Sequence, residues 1–309
     1  MFLIVVLSLV LLVSLGAMGF EFVQYHEGTQ SYETAQELSG LPDLSAVAEE
    51  AEEESEDAAT GTDVGGAVWA DPYADALRNM DFTALREKNS DVLGWIFVPN
   101  SVISYPLVYG SGKEDTYYLN HTWSGDYGIV GAIFVEPANS SDFSNFNTVI
   151  YGHNMNNGSM FGSLKSYKSQ SYWKSHKNVY ITTDSGARCY QVFAAYEVST
   201  AGDTYKIGFS SDKSKQAFID YCLSKSVIST GVKPAAGDSI ITLSTCTGRG
   251  HATRWVVQAV LKNQVAAAPA VSAAPTPSPT PAPEVTTQPE ATIPADTQNV
   301  PEETTAQTN

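Results

Sequence analysis

Residues 239–261 read SIITLSTCTGRGHATRWVVQAVL. Two apolar runs rich in β-branched residues, 239–245 and 254–261, flank a loop that holds two glycines. Runs of this length bounded by Gly, Ser and Thr read as strands, and the short loop joins them as a hairpin. Cys246 closes the first strand and Arg254 opens the second. A hairpin brings facing strand ends together, so a thiol and a guanidinium are expected at one edge of a sheet.

The same pattern recurs upstream. GWIFVP (94–99), ISYPLVY (103–109), GAIFVE (131–136), NTVIYG (147–152), NVYITT (178–183) and CYQVFAAYEV (189–198) are punctuated by Asn, Gly, Ser, Asp and Pro. That makes eight candidate strands. Most alternate poorly between apolar and polar, so the sheet is covered on both faces or closes on itself. The fold class is mainly β. One long helix, SDKSKQAFIDYCLSKSV (211–227), lies between the sixth and seventh strands, with Ala217, Phe218, Tyr221, Cys222 and Ile228 along one side. An amphipathic segment over 74–89, with Leu77, Met80, Phe82 and Leu85 near helical spacing, leads into the first strand, and a shorter helical stretch over 159–177 follows the fourth. No internal repeat is visible.

The ends of the chain differ from this middle. Residues 1–20 carry no charge, and twenty helical residues match the ~30 Å hydrocarbon core of a bilayer. A transmembrane anchor is expected there; a cleaved signal peptide ending near Ala17-Met18-Gly19 is the competing reading. No Lys or Arg precedes the segment, so charge does not set its orientation. Residues 21–73 include the run EEAEEESEDAAT and read as an acidic flexible stalk. Residues 263–309 are Pro/Thr-rich and read as a disordered tail, a spacer or a docking ligand. The folded unit is 74–262.

Charge follows the same division. Lys and Arg number 17 against 34 Asp and Glu, but residues 21–77 hold 15 acidic and no basic side chains, and residues 263–309 hold 5 and none. The middle is therefore net +3. Overall acidity argues against nucleic acid as a partner. Three cysteines cannot make a disulfide scaffold and leave at least one thiol unpaired. Cys189 lies within a strand and Cys222 on the apolar face of the long helix; both read as packing residues, and a bond between them is allowed by compartment.

Three residues stand out for chemistry. Cys246 sits at a strand end beside a Gly-containing loop, where a thiol borders a cleft, although a buried cysteine is the commoner fate. His153 follows the fourth strand in the turn GHNMNNG, a place for a proton-transfer group or for a solvated side chain. His251, near Cys246 in sequence, is the rival imidazole. Arg254 is permanently charged and rich in donors, suited to an oxyanion and to a lowered thiol pKa; Arg249, in the loop itself, competes with it. Thiol, imidazole and guanidinium together would supply a nucleophile, a proton shuttle and an oxyanion stabiliser.

TLSTC around Cys246, Arg254 heading TRWVVQAVL, and IYGHN around His153 resemble the sortase family, and the likeness covers residues 88–262. DVLGWIFVPNSVISYPLVYG and the following YYLN are similar to the start of its barrel, and the helices at 211–227 and near 74–89 resemble class B. The resemblance implies a closed eight-stranded sortase-type β-barrel, with an N-terminal helix and a long helix between strands six and seven. It implies a cysteine transpeptidase. Cys246 would attack the peptide bond after Thr in a C-terminal P-x-T-G/N-type sorting signal of a secreted protein. His153 would move the proton and Arg254 hold the oxyanion. An amine of a lipid-linked peptidoglycan precursor would resolve the thioester. By similarity Leu119, Tyr151, Tyr205 and Ser244 line the peptide groove, and no metal or cofactor is required. The domain would be extracellular, held at the cell membrane by its N-terminal helix. A pilin-polymerising sortase and a catalytically silent wall-binding barrel are the alternatives. The missing basic residues ahead of the anchor, the acidic stalk and the Pro/Thr tail depart from the family pattern.

Overall fold

A computed structural model of the chain describes residues 2–44, 47, 71–200, 202–246 and 252–268. Its centre is a closed barrel of β1 (Val92–Phe97), β2 (Ser104–Val108), β3 (Ile133–Val135), β4 (Asn147–His153), β5 (Asn178–Thr183), β6 (Gly186–Ser199), β7 (Ile240–Cys246) and β8 (Thr253–Ala266). The order around the barrel is β1-β2-β3-β4-β7-β8-β6-β5. All eight strands expected from the sequence are present. Most neighbours are antiparallel, but β2 with β3 and β4 with β7 run parallel.

The poor alternation of the strands has a plain cause. The interior is filled from β1, β5 and β6 by Ile96, Ile181 and Val192, joined by Leu107, Ile133 and Leu243. A second apolar cluster lies on the outside of β6 and β8, where α-helix Asp212–Lys225 contributes Phe218, Ile219 and Cys222 against Phe193, Tyr196 and Val256. Strand residues 192–195 and 255–260 are therefore buried on both faces. Ser211 caps that helix in a reciprocal capping box with Ser214.

The N-terminal region departs from expectation. Helix α1 (Phe2–Leu38) runs from the uncharged segment well into the stretch read as a flexible stalk. Gly28, Tyr32 and Ala35, spaced by three or four residues, form its buried face, and Ser39 just past its end continues it. Three of these four are small, so the stripe carries little hydrophobic signal, yet small residues let the helix approach closely. A Cβ on Gly28 would fall 2.7 Å from Val130 Cγ2. Residues 48–70 of the acidic stretch and 269–309 of the tail lie outside the described residues. Ile4, Leu7, Leu9, Leu12 and Val13 of α1 are exposed. Among the described residues no helix is long and apolar enough to cross a membrane, so the span expected over residues 1–20 draws no support from the fold.

The amphipathic segment over 74–89 is two short helices rather than one, α2 (Pro72–Leu77) and α3 (Thr83–Lys88). Asp71 caps α2 through Ala74 N, with Pro72 in the first turn. Asp81 accepts from Thr83 N (2.9 Å), and this local bond competes with a continuous helix. The stretch after β4 holds a 3-10 turn, Gly162–Lys168, and α4 (Gln170–Ser175); the long helix above is α5. Cys189 and Cys222 are both buried free thiols, so no bond joins them.

A polar network crosses the barrel wall. Asn147 on β4 accepts from Thr242 Oγ1 (2.7 Å) and donates to the carbonyls of Thr204 (3.3 Å) and Lys206 (2.9 Å). Gln258 donates to Thr242 Oγ1 (3.0 Å) and accepts from the Tyr196 hydroxyl (3.2 Å). All these side chains are buried, so each lost partner leaves an unsatisfied group. Asn147→Ala is expected to cost about 2–3 kcal/mol and to lower the melting temperature by roughly 5–10 °C, read by thermal unfolding of the full chain.

Candidate active site

The site is built on the ends of three adjacent strands. β4 and β7 pair in parallel over seven rungs, from Asn147 opposite Ile240 to His153 opposite Cys246. β7 and β8 pair antiparallel from Ile240 with Val260 to Ser244 with Val256. Beyond that last rung Thr245 Oγ1 takes over and accepts from Trp255 N (3.0 Å). Continuing the register places the Cys246 backbone across from Arg254. His153, Cys246 and Arg254 thus occupy one row across β4, β7 and β8, although 93 residues separate the first two. The Cys246 side chain, and the loop with Arg249 and His251, lie outside the described residues.

His153 is half-buried and held tightly. Its Nε2 lies 2.6 Å from the carbonyl of Leu119, in the 3-10 turn Tyr117–Leu119. A carbonyl only accepts, so Nε2 carries the proton of this bond and Nδ1 is left for proton exchange. The same Cδ2–Nε2 edge of the ring rests on Gly131. A Cβ there would fall 2.7 Å from His153 Cδ2 and 2.8 Å from the Tyr118 carbonyl, and φ is +58°. Only glycine meets both demands. The histidine's own carbonyl accepts from Phe161 N (2.9 Å), which fixes the chain just after the strand.

Leu119, Tyr151, Tyr205 and Arg254 line one cleft together with Phe134, and Asp115, Glu136 and Thr200 complete its wall. The aromatic side is a ladder: Phe134 and Tyr151 centroids lie 5.4 Å apart, and Tyr151 and Tyr205 stack at 6.2 Å and 25°. The Tyr205 and Ser244 hydroxyls are 3.0 Å apart. Ser244 pairs with Tyr151 on the cleft face and is fully buried, covered by Tyr205. The turn that carries Tyr205, Asp203–Tyr205, is tied to the barrel by Asn147 and by the contact of Thr204 Oγ1 with the Tyr196 hydroxyl (3.1 Å).

Leu119, Tyr151 and Tyr205, three of the four groove positions read from sequence, thus line the cleft with Arg254, and Ser244 lies beneath Tyr205. Phe134 and Glu136 were legible only as alternate residues of a short strand, and Asp115 and Gly131 carried no motif. The other described histidines serve elsewhere. His26 is exposed on α1, His121 stacks on Tyr117 at 3.8 Å, and His176 bridges the carbonyls of Tyr172 and Asn100.

A mixed eight-stranded barrel with a cleft bordered by Phe134 of β3, Tyr151 of β4 and Arg254 of β8 defines a class, and residues 96–262 match the family model described as Sortase domain. The chain belongs to the sortase family, whose members are transpeptidases. It is similar to sortase B of Listeria monocytogenes, 33% identical over 229 residues that span 74% of this chain and 85% of that one. It is similar also to sortase B of Staphylococcus aureus, 34% identical over 165 residues, 53% and 67% of the two chains. A solved Staphylococcus aureus sortase B–substrate complex superposes with a TM-score of 0.57 at 33% identity, over 60% of this chain and 85% of that one. These relatives are class B, and the chain carries the barrel of that class.

Gly131→Ala forces the imidazole off the Leu119 carbonyl. Peptide cleavage by this variant should fall by on the order of tenfold or more, measured as kcat/KM on the full chain with a sorting-signal peptide.

Proposed function

We propose that this protein cleaves a C-terminal sorting signal of secreted proteins after Thr and transfers the acyl group to an amine of a peptidoglycan precursor. The observation that supports the reading is the strand-end row His153–Cys246–Arg254, of which Arg254 lines the aromatic cleft. Cys246, as thiolate, attacks the Thr carbonyl, and the negative charge that moves onto the oxygen is met by the Arg254 guanidinium. The tetrahedral adduct collapses, the C–N bond breaks, and His153 gives its Nδ1 proton to the departing amine. The thioester remains on sulfur. An incoming amine then attacks the thioester and loses its proton to His153, and the thiolate leaves. The Leu119 carbonyl keeps Nε2 protonated through both halves, so the same nitrogen handles both transfers. The Phe134–Tyr151–Tyr205 ladder offers flat apolar faces to the Pro and Thr of a P-x-T-G/N-type signal.

We read the domain as extracellular and the exposed apolar side chains of α1 as its attachment to the membrane. Secreted proteins and a lipid-linked precursor amine meet at that surface. Fractionation of cells tests this part. The full chain should pellet with membranes, and a chain starting after Glu21 should appear in the soluble fraction.

The chemistry is tested with the full chain in detergent and a fluorogenic P-x-T-G/N peptide. Cys246→Ala and His153→Ala should each lower kcat/KM by about 10³-fold or more, and Arg254→Ala by about 10²–10³-fold. Cleavage by Cys246→Ala at the wild-type rate would end the proposal. Alkylation gives a second readout. Burial pushes the Cys222 thiol up to about 11 and the Cys189 thiol higher still. At pH 7.5 one equivalent of iodoacetamide per chain should react quickly, and Cys246→Ala should remove that reaction. A wild-type chain with no fast thiol would point instead to a catalytically silent barrel.

A further inference from the structure

We propose that Tyr32 of α1 is a positioning residue for His153, acting through Gly131; the inference rests on the reading of His153 as the proton-transfer group. The Tyr32 hydroxyl donates to the Gly131 carbonyl at 2.6 Å, a fully buried bond between residues 99 apart in sequence. Gly131 is the residue against which the imidazole rests, with room for no side chain between them. A shift of this glycine by a fraction of an ångström therefore moves the ring or opens a gap behind it.

The rest of α1 makes the placement firm. Trp123 Nε1 donates to the Ser31 carbonyl (2.9 Å), and the Tyr32 ring packs edge-to-face on Tyr105 at 5.3 Å. Tyr105 in turn accepts from Met160 N (3.1 Å), beside the turn that follows His153. On the opposite side, the Tyr118 hydroxyl donates to Asp91 (2.6 Å) and accepts from Asn89 (2.9 Å), while Ala132 N donates to the Tyr118 carbonyl (2.9 Å). The Cδ2–Nε2 edge of the imidazole is thus seated against both the Leu119 carbonyl, fixed by the barrel, and Gly131, fixed by the helix. Burial raises the Tyr32 phenol pKa far above its ordinary value, so the hydroxyl remains a donor at every working pH. Proton transfer depends steeply on geometry, which gives this remote hydroxyl leverage on turnover rather than on substrate binding.

The experiment measures kcat and KM for peptide cleavage, together with thermal unfolding, on the full chain in detergent. Tyr32→Phe keeps the ring and removes only the hydroxyl. It should lower kcat about tenfold with KM within about twofold, while p-aminophenylalanine at position 32, which restores a donor, should recover most of the rate. Trp123→Phe removes another bond to α1 without touching Gly131 and should keep kcat at the wild-type value. Imidazole NMR gives an independent signal: the His153 Nε2 proton should exchange with solvent faster in Tyr32→Phe than in wild type. A Tyr32→Phe chain with wild-type kcat and exchange overturns the inference. So does one that unfolds, or that loses rate only in step with its melting temperature, because the hydroxyl then serves packing alone. Full activity in His153→Ala would instead sink the reading of His153 on which the inference rests.

Discussion

The parallel pairing of β4 with β7 is the constraint on which the rest of the molecule depends. It is the pairing that sets His153 opposite Cys246. Parallel neighbours cannot be joined by a tight turn, so the chain must travel and return. Here β5, β6 and α5 make that journey, and closure of the barrel gives the returning strand its place. A slip of one residue would set His153 against Thr245 and turn every side chain of β7 to the other face. The buried bonds among Asn147, Thr242, Gln258 and Tyr196 oppose such a slip, because their donors and acceptors match in one register only.

The strand ends supply the row His153–Cys246–Arg254, and the connections supply its surroundings. The segment between β2 and β3 presents the Leu119 carbonyl and Gly131 to the imidazole. The segment between β6 and α5 brings Tyr205 over the cleft, where Ser244 steadies it. Both are lashed to the barrel by buried polar contacts: Tyr118 to Asp91 and Asn89 in one case, Thr204 and Lys206 to Asn147 in the other. Irregular backbone is thereby given the fixity of regular structure while its side chains remain free to shape a groove.

Much of this was legible in the sequence. The eight strands and the long helix followed from β-branched runs, helical spacing and their boundaries, as did the places of His153, Cys246 and Arg254 at strand ends; their grouping as one site came from the resemblance to sortases. The residues missed share a physical reason. Gly28, Ala35 and Ser39 bury a helix face with little apolar surface, so hydropathy reads them as a solvated stretch. Gly131 matters for what it lacks, and a single glycine between strands carries no distinguishing pattern. Ser244 shares a strand with Cys246, and alternation alone could not say that its hydroxyl would be spent beneath Tyr205. The break between α2 and α3 turned on one carboxylate competing for a backbone donor, a contest that periodicity does not record.

β8 begins at Thr253 beside the cleft and runs to Ala266, still paired with Gly186 of β6. That is about 40 Å of strand, so the described chain leaves the barrel at the pole farthest from Arg254. The N-terminal helix, by contrast, meets the barrel beside Gly131. The two termini are therefore unequal places to attach a fluorophore, an affinity handle or a surface tether. A fusion joined directly to Ala268 departs from the pole remote from the cleft, whereas one joined close before Tyr32 loads the helix that packs beside Gly131.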